Sequence, residues 1–208
     1  MKRILLSIVT VVFLIFNATA QEGIRPGIIA GFNLQNINGT NEFDKKLEND
    51  LLPGFHAGFN LLMPIAPEIY FQPGVLFSTK GAKLGGNEER RISYVEVPLN
   101  LVYRGQLGNN FVLLGLGPYA AFGIGGKYTI AGVDNDLRFT NSIAIWDPRA
   151  LRRFDAGANI FAGYELGIGL YLQLNAQMGL MKINPDILLP DARSWRNTGF
   201  GLSVGYRF

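Results

Sequence analysis

The last eleven residues, TGFGLSVGYRF from Thr198 to Phe208, put an apolar side chain at every second position: Phe200, Leu202, Val204, Tyr206 and Phe208. Gly199, Gly201, Ser203, Gly205 and Arg207 fill the gaps, so a strand built here has one aromatic-rich face and one small or polar face. The apolar face persists to Phe208, where soluble domains usually fray into polar residues. Such a face calls for hydrocarbon. Strands of membrane barrels supply that match, apolar outward and polar inward, with aromatic girdles where bilayer meets water.

At the other end, Lys2 and Arg3 precede an apolar run from Ile4 to Phe16 and the small residues Ala18-Thr19-Ala20. This is the layout of a secretory signal cut after Ala20, with residues 21–208 as one domain. The run is short for a spanning helix, which takes about 20 residues. Without Lys2 and Arg3, the nineteen Lys and Arg fall to seventeen against sixteen Asp and Glu, so no basic face for nucleic acid is indicated. Cysteine is absent, which rules out disulfides and thiolate metal sites. No later stretch approaches 18 uninterrupted apolar residues, so a membrane form has to be a closed barrel.

Seven further segments alternate like the last. They are Gly27–Gln35, Phe55–Met63, Ile69–Thr79, Arg91–Gly105, Phe111–Ile124, Phe154–Leu166 and Leu170–Leu180. The faces of the fifth are ambiguous because LLGLGPYAAFGIGG is rich in glycine and alanine. Pro98 predicts a bulge in the fourth, since proline cannot donate to the ladder. The connections run long, short, long, short, long, short, long. KGAKLGGNEERR, from Lys80 to Arg91, is expected to be a polar glycine-rich loop. Gly125 to Arg153 is expected to be the longest loop, with a helix start at Asp147-Pro148. The fold class is therefore all-β: an eight-stranded antiparallel up-and-down transmembrane β-barrel, with both termini on the short-turn, periplasmic side and long loops extracellular.

SYVEVPLNLVYR, RFDAGANIFAGYEL and GFGLSVGYRF together resemble the small outer-membrane barrels of Bacteroidetes-type bacteria, the PorT-like or "outer membrane protein beta-barrel domain" group. The resemblance implies a monomeric eight-stranded barrel in the outer membrane of a Gram-negative cell. It also implies that the last strand, through Tyr206 and Phe208, is recognised by the outer-membrane insertion machinery.

Inward positions carry Glu96, Asn100, Arg104, Asp155, Asn159, Glu165, Gln173, Asn175, Gln177 and Arg207, expected as a polar network filling a barrel of this size. Arg104, Glu165 and Arg207 converge at the periplasmic end, with Glu96 and Asp155 nearer the outer half. The sole histidine, His56, also points inward, and a hydrolase could pair it with an inward serine such as Ser78, but no nucleophile motif accompanies it. Asp134 and Asp136 lack the remaining ligands of a calcium loop, so no metal and no cofactor are expected. In the loops, Trp146, Arg149, Arg152, Arg153, Trp195 and Arg196 combine aromatic and cationic groups suited to a protein partner or to outer-membrane lipid and lipopolysaccharide. The expected role is non-enzymatic, structural or loop-mediated, without a wide pore. The alternatives are a narrow channel or part of a transport or secretion assembly, a lipid-modifying enzyme, and a soluble lipid-binding barrel with the faces inverted.

Overall fold

Backbone pairing follows the period-two pattern and runs past it. In a computed structural model that describes residues 23–187 and 192–208, eight long strands form a ring. They are β1 (Arg25–Thr40), β2 (Leu52–Ala66), β3 (Ile69–Gly85), β4 (Glu88–Leu107), β5 (Asn110–Ile130), β6 (Phe154–Glu165), β7 (Leu170–Gly179) and β8 (Ser194–Arg207). Each pairs antiparallel with its neighbours, β5 joins β6 from Phe122↔Phe154 to Phe111↔Glu165, and β8 closes on β1 from Gly27↔Arg207 to Thr40↔Ser194. No strand of the ring is left with an open edge, the condition for a sheet in hydrocarbon. Both described ends lie with the short turns, since Gly27 and Arg207 pair beside the β2–β3 turn. The expected signal segment, residues 1–20, lies outside the described residues.

Side-chain orientation follows the alternation. Leu99, Leu172 and Phe200 are 41%, 55% and 52% exposed on the outer wall, while Glu96, Asp155 and Glu165 are sealed inside, which excludes the inverted, soluble form of the barrel. The ambiguous β5 resolves with Leu114, Leu116, Ala120 and Phe122 outward and Leu113, Tyr119 and Ala121 inward. Glycine on the inner wall, on β5 and on β8, makes room for rings. A Cβ on Gly115 would sit 2.2 Å from the Phe161 ring, and one on Gly205 would sit 2.1 Å from that of Tyr171.

Four expectations about local structure are corrected. Lys80 to Arg91 is mostly strand: β3 and β4 continue through it and turn only at Gly86-Asn87, where both residues have positive φ. Likewise β5 runs to Ile130 and folds back at Ala131-Gly132 into a short strand, Val133–Asp136, so the hairpins stand well above the ring. No helix follows Asp147-Pro148. The Asp147 carboxylate accepts the Arg149 N–H at 2.9 Å as an N-cap would, but the chain makes a single turn and enters the short strand Ala150–Leu151. Finally, Pro98 causes no bulge. Pro73↔Leu99 and Leu76↔Glu96 keep one register across it, and the irregularity in the β4–β5 ladder falls at Ser93/Tyr94.

Candidate functional site

The lumen is filled in layers, each set by inward positions of several strands. At the short-turn end Glu165 of β6 gathers three arginines. Its Oε1 accepts from Arg25 at 2.9 Å and Arg104 at 2.8 Å, and its Oε2 accepts from Arg207 at 2.8 Å. Aromatic rings hold two of these guanidinium groups in place, Tyr171 at 4.7 Å from Arg207 and Phe111 at 3.2 Å from Arg104. Arg104, Glu165 and Arg207 thus meet at one end of the barrel. Arg25 joins them without having been anticipated, because it precedes the first alternating run.

The middle layer is neutral. Gln72 donates to Asn60 at 3.1 Å, Asn60 donates to the Tyr171 hydroxyl at 3.1 Å, and Asn159 donates to the Gly117 carbonyl at 3.0 Å. Asn100, Gln173, Asn175 and Gln177 line the same space, which amounts to about 60 Å³. That volume suits a few waters and is far below the roughly 300–1,000 Å³ of ligand pockets. His56 lies here, with Nε2 at 2.8 Å from the hydroxyl of Ser203 rather than that of its cross-strand neighbour Ser78. The Ser203 hydroxyl also lies 3.2 Å from the Asn175 amide oxygen, so it bridges the imidazole and an amide.

Above it the charges are reversed in sign. Lys80 of β3 reaches Glu96 at 2.7 Å and Asp155 at 3.6 Å, and all three side chains are buried. Gln177 donates to Glu96 at 2.5 Å, while Asn197 and the Tyr119 hydroxyl donate to Asp155 at 2.9 and 3.3 Å. The Lys80 ammonium also stands 3.9 Å over the Tyr119 ring. Sequence reading missed Lys80 because glycines around it gave the segment the character of a loop.

An apolar plug covers this layer. Ile37, Ile92, Tyr94, Leu151, Ile183 and Trp195 form its core, with Leu137, Phe139 and Trp146 packed against it. Arg90 is buried in the same cap, donating to the Pro148 carbonyl at 2.6 Å and lying 4.5 Å from the Trp195 ring. Five of these residues come from the long connections, so the loops fold inward and close the mouth.

The loop residues singled out for contact divide accordingly. Trp195 is 7% exposed and belongs to the plug, edge-on to half-buried Trp146 at 5.4 Å, so it is corrected from a surface contact to a structural one. Arg152 is tied to Asp186 at 2.5 Å, and Arg149 to Asp147 at 3.1 Å. Arg153 and Arg196 are exposed. Tyr206 and Phe208 lie on the outer wall, their rings 5.1 Å apart. In the cap, the Arg149 guanidinium holds the Asp147 carboxyl below the usual range, and Glu42 is lowered first by its own backbone N–H and then by Arg193. Among the described residues no group of three or more His, Cys, Asp and Glu is placed to hold a metal ion.

A family model described as "Outer membrane protein beta-barrel domain" matches residues 19–184. No curated protein sequence matches the chain significantly. Among solved structures, Neisserial surface protein A (NspA) is similar at 11% identity and a TM-score of 0.50, over 90% of this chain and 100% of that one. Ail, the attachment invasion locus protein of Yersinia pestis, is similar at 12% identity and a TM-score of 0.43, over 89% of this chain and 99% of that one. At such identity the NspA likeness speaks to the fold alone, an eight-stranded barrel. With the family model spanning most of the ring and the apolar face turned outward, the chain belongs to the outer-membrane protein β-barrel domain family.

Proposed function

We propose that this barrel is a non-enzymatic, non-conducting outer-membrane protein that works through its capped outer end, of the PorT-like kind its strand motifs resemble. One observation carries the proposal: the lumen is blocked three times over. The arginine layer around Glu165, the Lys80 layer and the apolar plug each span it, and only about 60 Å³ is free between the first two. Moving an ion through would require breaking buried pairs, at about 3–5 kcal/mol for each partner removed. The His56–Ser203 pair faces a space of only about 60 Å³, with no room for a substrate, which supports the absence of hydrolysis. Short turns and both termini face the periplasm and the long loops face outward, as in bacterial barrels generally.

Planar-bilayer recording from the purified full-length protein tests the closed state. We expect a flat baseline; reproducible unitary current steps would establish the narrow-channel alternative instead. The chain has no cysteine, so Ile145→Cys, at a side chain 83% exposed in the cap, gives a clean test of orientation. A membrane-impermeant maleimide should label it on intact cells, and labelling only after the outer membrane is opened would reverse the assignment.

A further inference from the structure

The apolar wall is not smooth. In its short-turn half, outward Ala162 and Ala176 leave a furrow of about 660 Å³, because bulkier side chains flank each alanine on the paired strands: Leu114 and Leu174 beside Ala162, Ile160 and Phe200 beside Ala176. One row of cross-strand pairs, Ile69↔Tyr103, Tyr103↔Leu114 and Leu114↔Ala162, leads from the β2–β3 turn to this floor. Ile69 and Tyr103 therefore form the foot of the furrow, where the wall ends.

A charge stands at that foot. The Tyr103 ring folds down over Gly105, where a Cβ would sit 2.6 Å from its hydroxyl. Glu68, in the turn, is seated beside it: its carbonyl accepts the Arg104 N–H at 2.8 Å, and its exposed carboxylate faces the Tyr103 hydroxyl. With φ at 61°, Glu68 holds a left-handed conformation that glycine adopts freely and a glutamate only at a cost. No cation pairs with it among the described residues. The arginines of this end, Arg25, Arg104 and Arg207, are all drawn inward onto Glu165. What the border turns outward is aromatic, in Tyr103, Tyr164 and Tyr206. An anionic headgroup thus finds no cation here, while an ammonium finds a carboxylate directly below a carbon-lined furrow.

We propose that the furrow and Glu68 together hold a phospholipid of the periplasmic leaflet whose headgroup ends in a primary amine. One acyl chain lies along Ala162 and Ala176, and the ammonium donates to the Glu68 carboxylate, which has acceptor sites to spare beyond the Tyr103 hydroxyl. The furrow supplies dispersion contacts to either kind of lipid, and the carboxylate supplies the selectivity. That the leaflet is the periplasmic one rests on the outward orientation of the long loops.

The test is native mass spectrometry of the full barrel in maltoside detergent, titrated with phosphatidylethanolamine and with phosphatidylglycerol of the same acyl chains. The parent should bind the ethanolamine lipid about five-fold more tightly, as an exposed ion pair is worth. Glu68→Gln should lose that preference, whereas Glu48→Gln, at the opposite end of the barrel, should keep it. Ala162→Phe/Ala176→Phe, which fills the furrow and leaves the charge alone, should weaken both lipids by a similar factor. Equal affinity of the parent for the two lipids, an unchanged preference in Glu68→Gln, or binding indifferent to the phenylalanine pair would overturn the site. A parent dimer that the phenylalanine pair abolishes would assign the furrow to a second copy instead. A heat-modifiable band on gels shows that each variant is folded. The titration is blind to which way the barrel sits, so a failed orientation is read separately from the Ile145→Cys labelling.

Discussion

The two charged layers of the lumen are inversions of one another. At the short-turn end a single carboxylate, Glu165, serves three guanidinium groups; beneath the plug a single ammonium, Lys80, serves two carboxylates. Each minority charge is a hub whose removal strands like charges in a space without bulk water. The hubs differ in their neutral support. Glu96 and Asp155 keep hydrogen bonds from Gln177, Asn197 and Tyr119 that do not depend on Lys80, whereas Arg25 and Arg104 share one oxygen of Glu165. The difference teaches that a buried charge is as secure as the polar groups around its partners, and it ranks the consequences of mutation.

The largest loss is expected from Glu165→Gln, which keeps the shape and removes the hub charge, at about 4 kcal/mol by urea unfolding in lipid vesicles. A loss under about 1 kcal/mol would show that the arginines find other acceptors and would end the comparison. Lys80→Met should cost less, about 2–3 kcal/mol by the same measurement, because its carboxylates retain their neutral donors. If it proves the costlier substitution, the ranking by neutral support is wrong. The smallest effect sharpens the contrast between buried pairs and those of the exposed cap. Glu42 and Asp147 have carboxyls lowered in the fold, so their contribution is complete above the ordinary carboxylate range and fades as pH falls through their folded values. The two tryptophans, Trp146 and Trp195, both lie in the cap, so their emission should shift to the red on acidification to about pH 3. Glu42→Gln/Asp147→Asn should lose most of that shift, and a full shift in this variant would place the sensitive groups elsewhere.

How much of this was legible in the sequence depended on whether the two faces of a strand met different media. Between Phe200 and Phe208, or Leu170 and Met178, one face meets hydrocarbon and the other a polar lumen, and the period of two is clean. The strand count, the ring order and the inward positions of Glu96, Asp155, Glu165 and Arg207 follow from it. Above the bilayer neither face of β3, β4 or β5 meets lipid, so alternation fades, and glycine at positive φ, as at Gly81 and Gly86, imitates a loop. That is why Lys80 and Arg90 were overlooked although each is at most 2% exposed. Trp195 failed for a related reason. An aromatic beside an arginine resembles a contact hot spot, and only the docking of Leu151 and Ile183 across the mouth shows that the ring is spent on packing.

The joint between β1 and β8 has a consequence for how the molecule is made. It couples groups such as Asn38 and Thr198, 160 residues apart, while every other barrel ladder joins strands consecutive in the chain. Hairpins can therefore be zipped one after another as polypeptide arrives, but the final seal waits for the last strand and carries the loop-closure entropy of the whole domain. A chain halted one strand early would be a curled ribbon with two raw margins, and sealing, rather than hairpin growth, becomes the step that an assembly factor has most to gain by holding together.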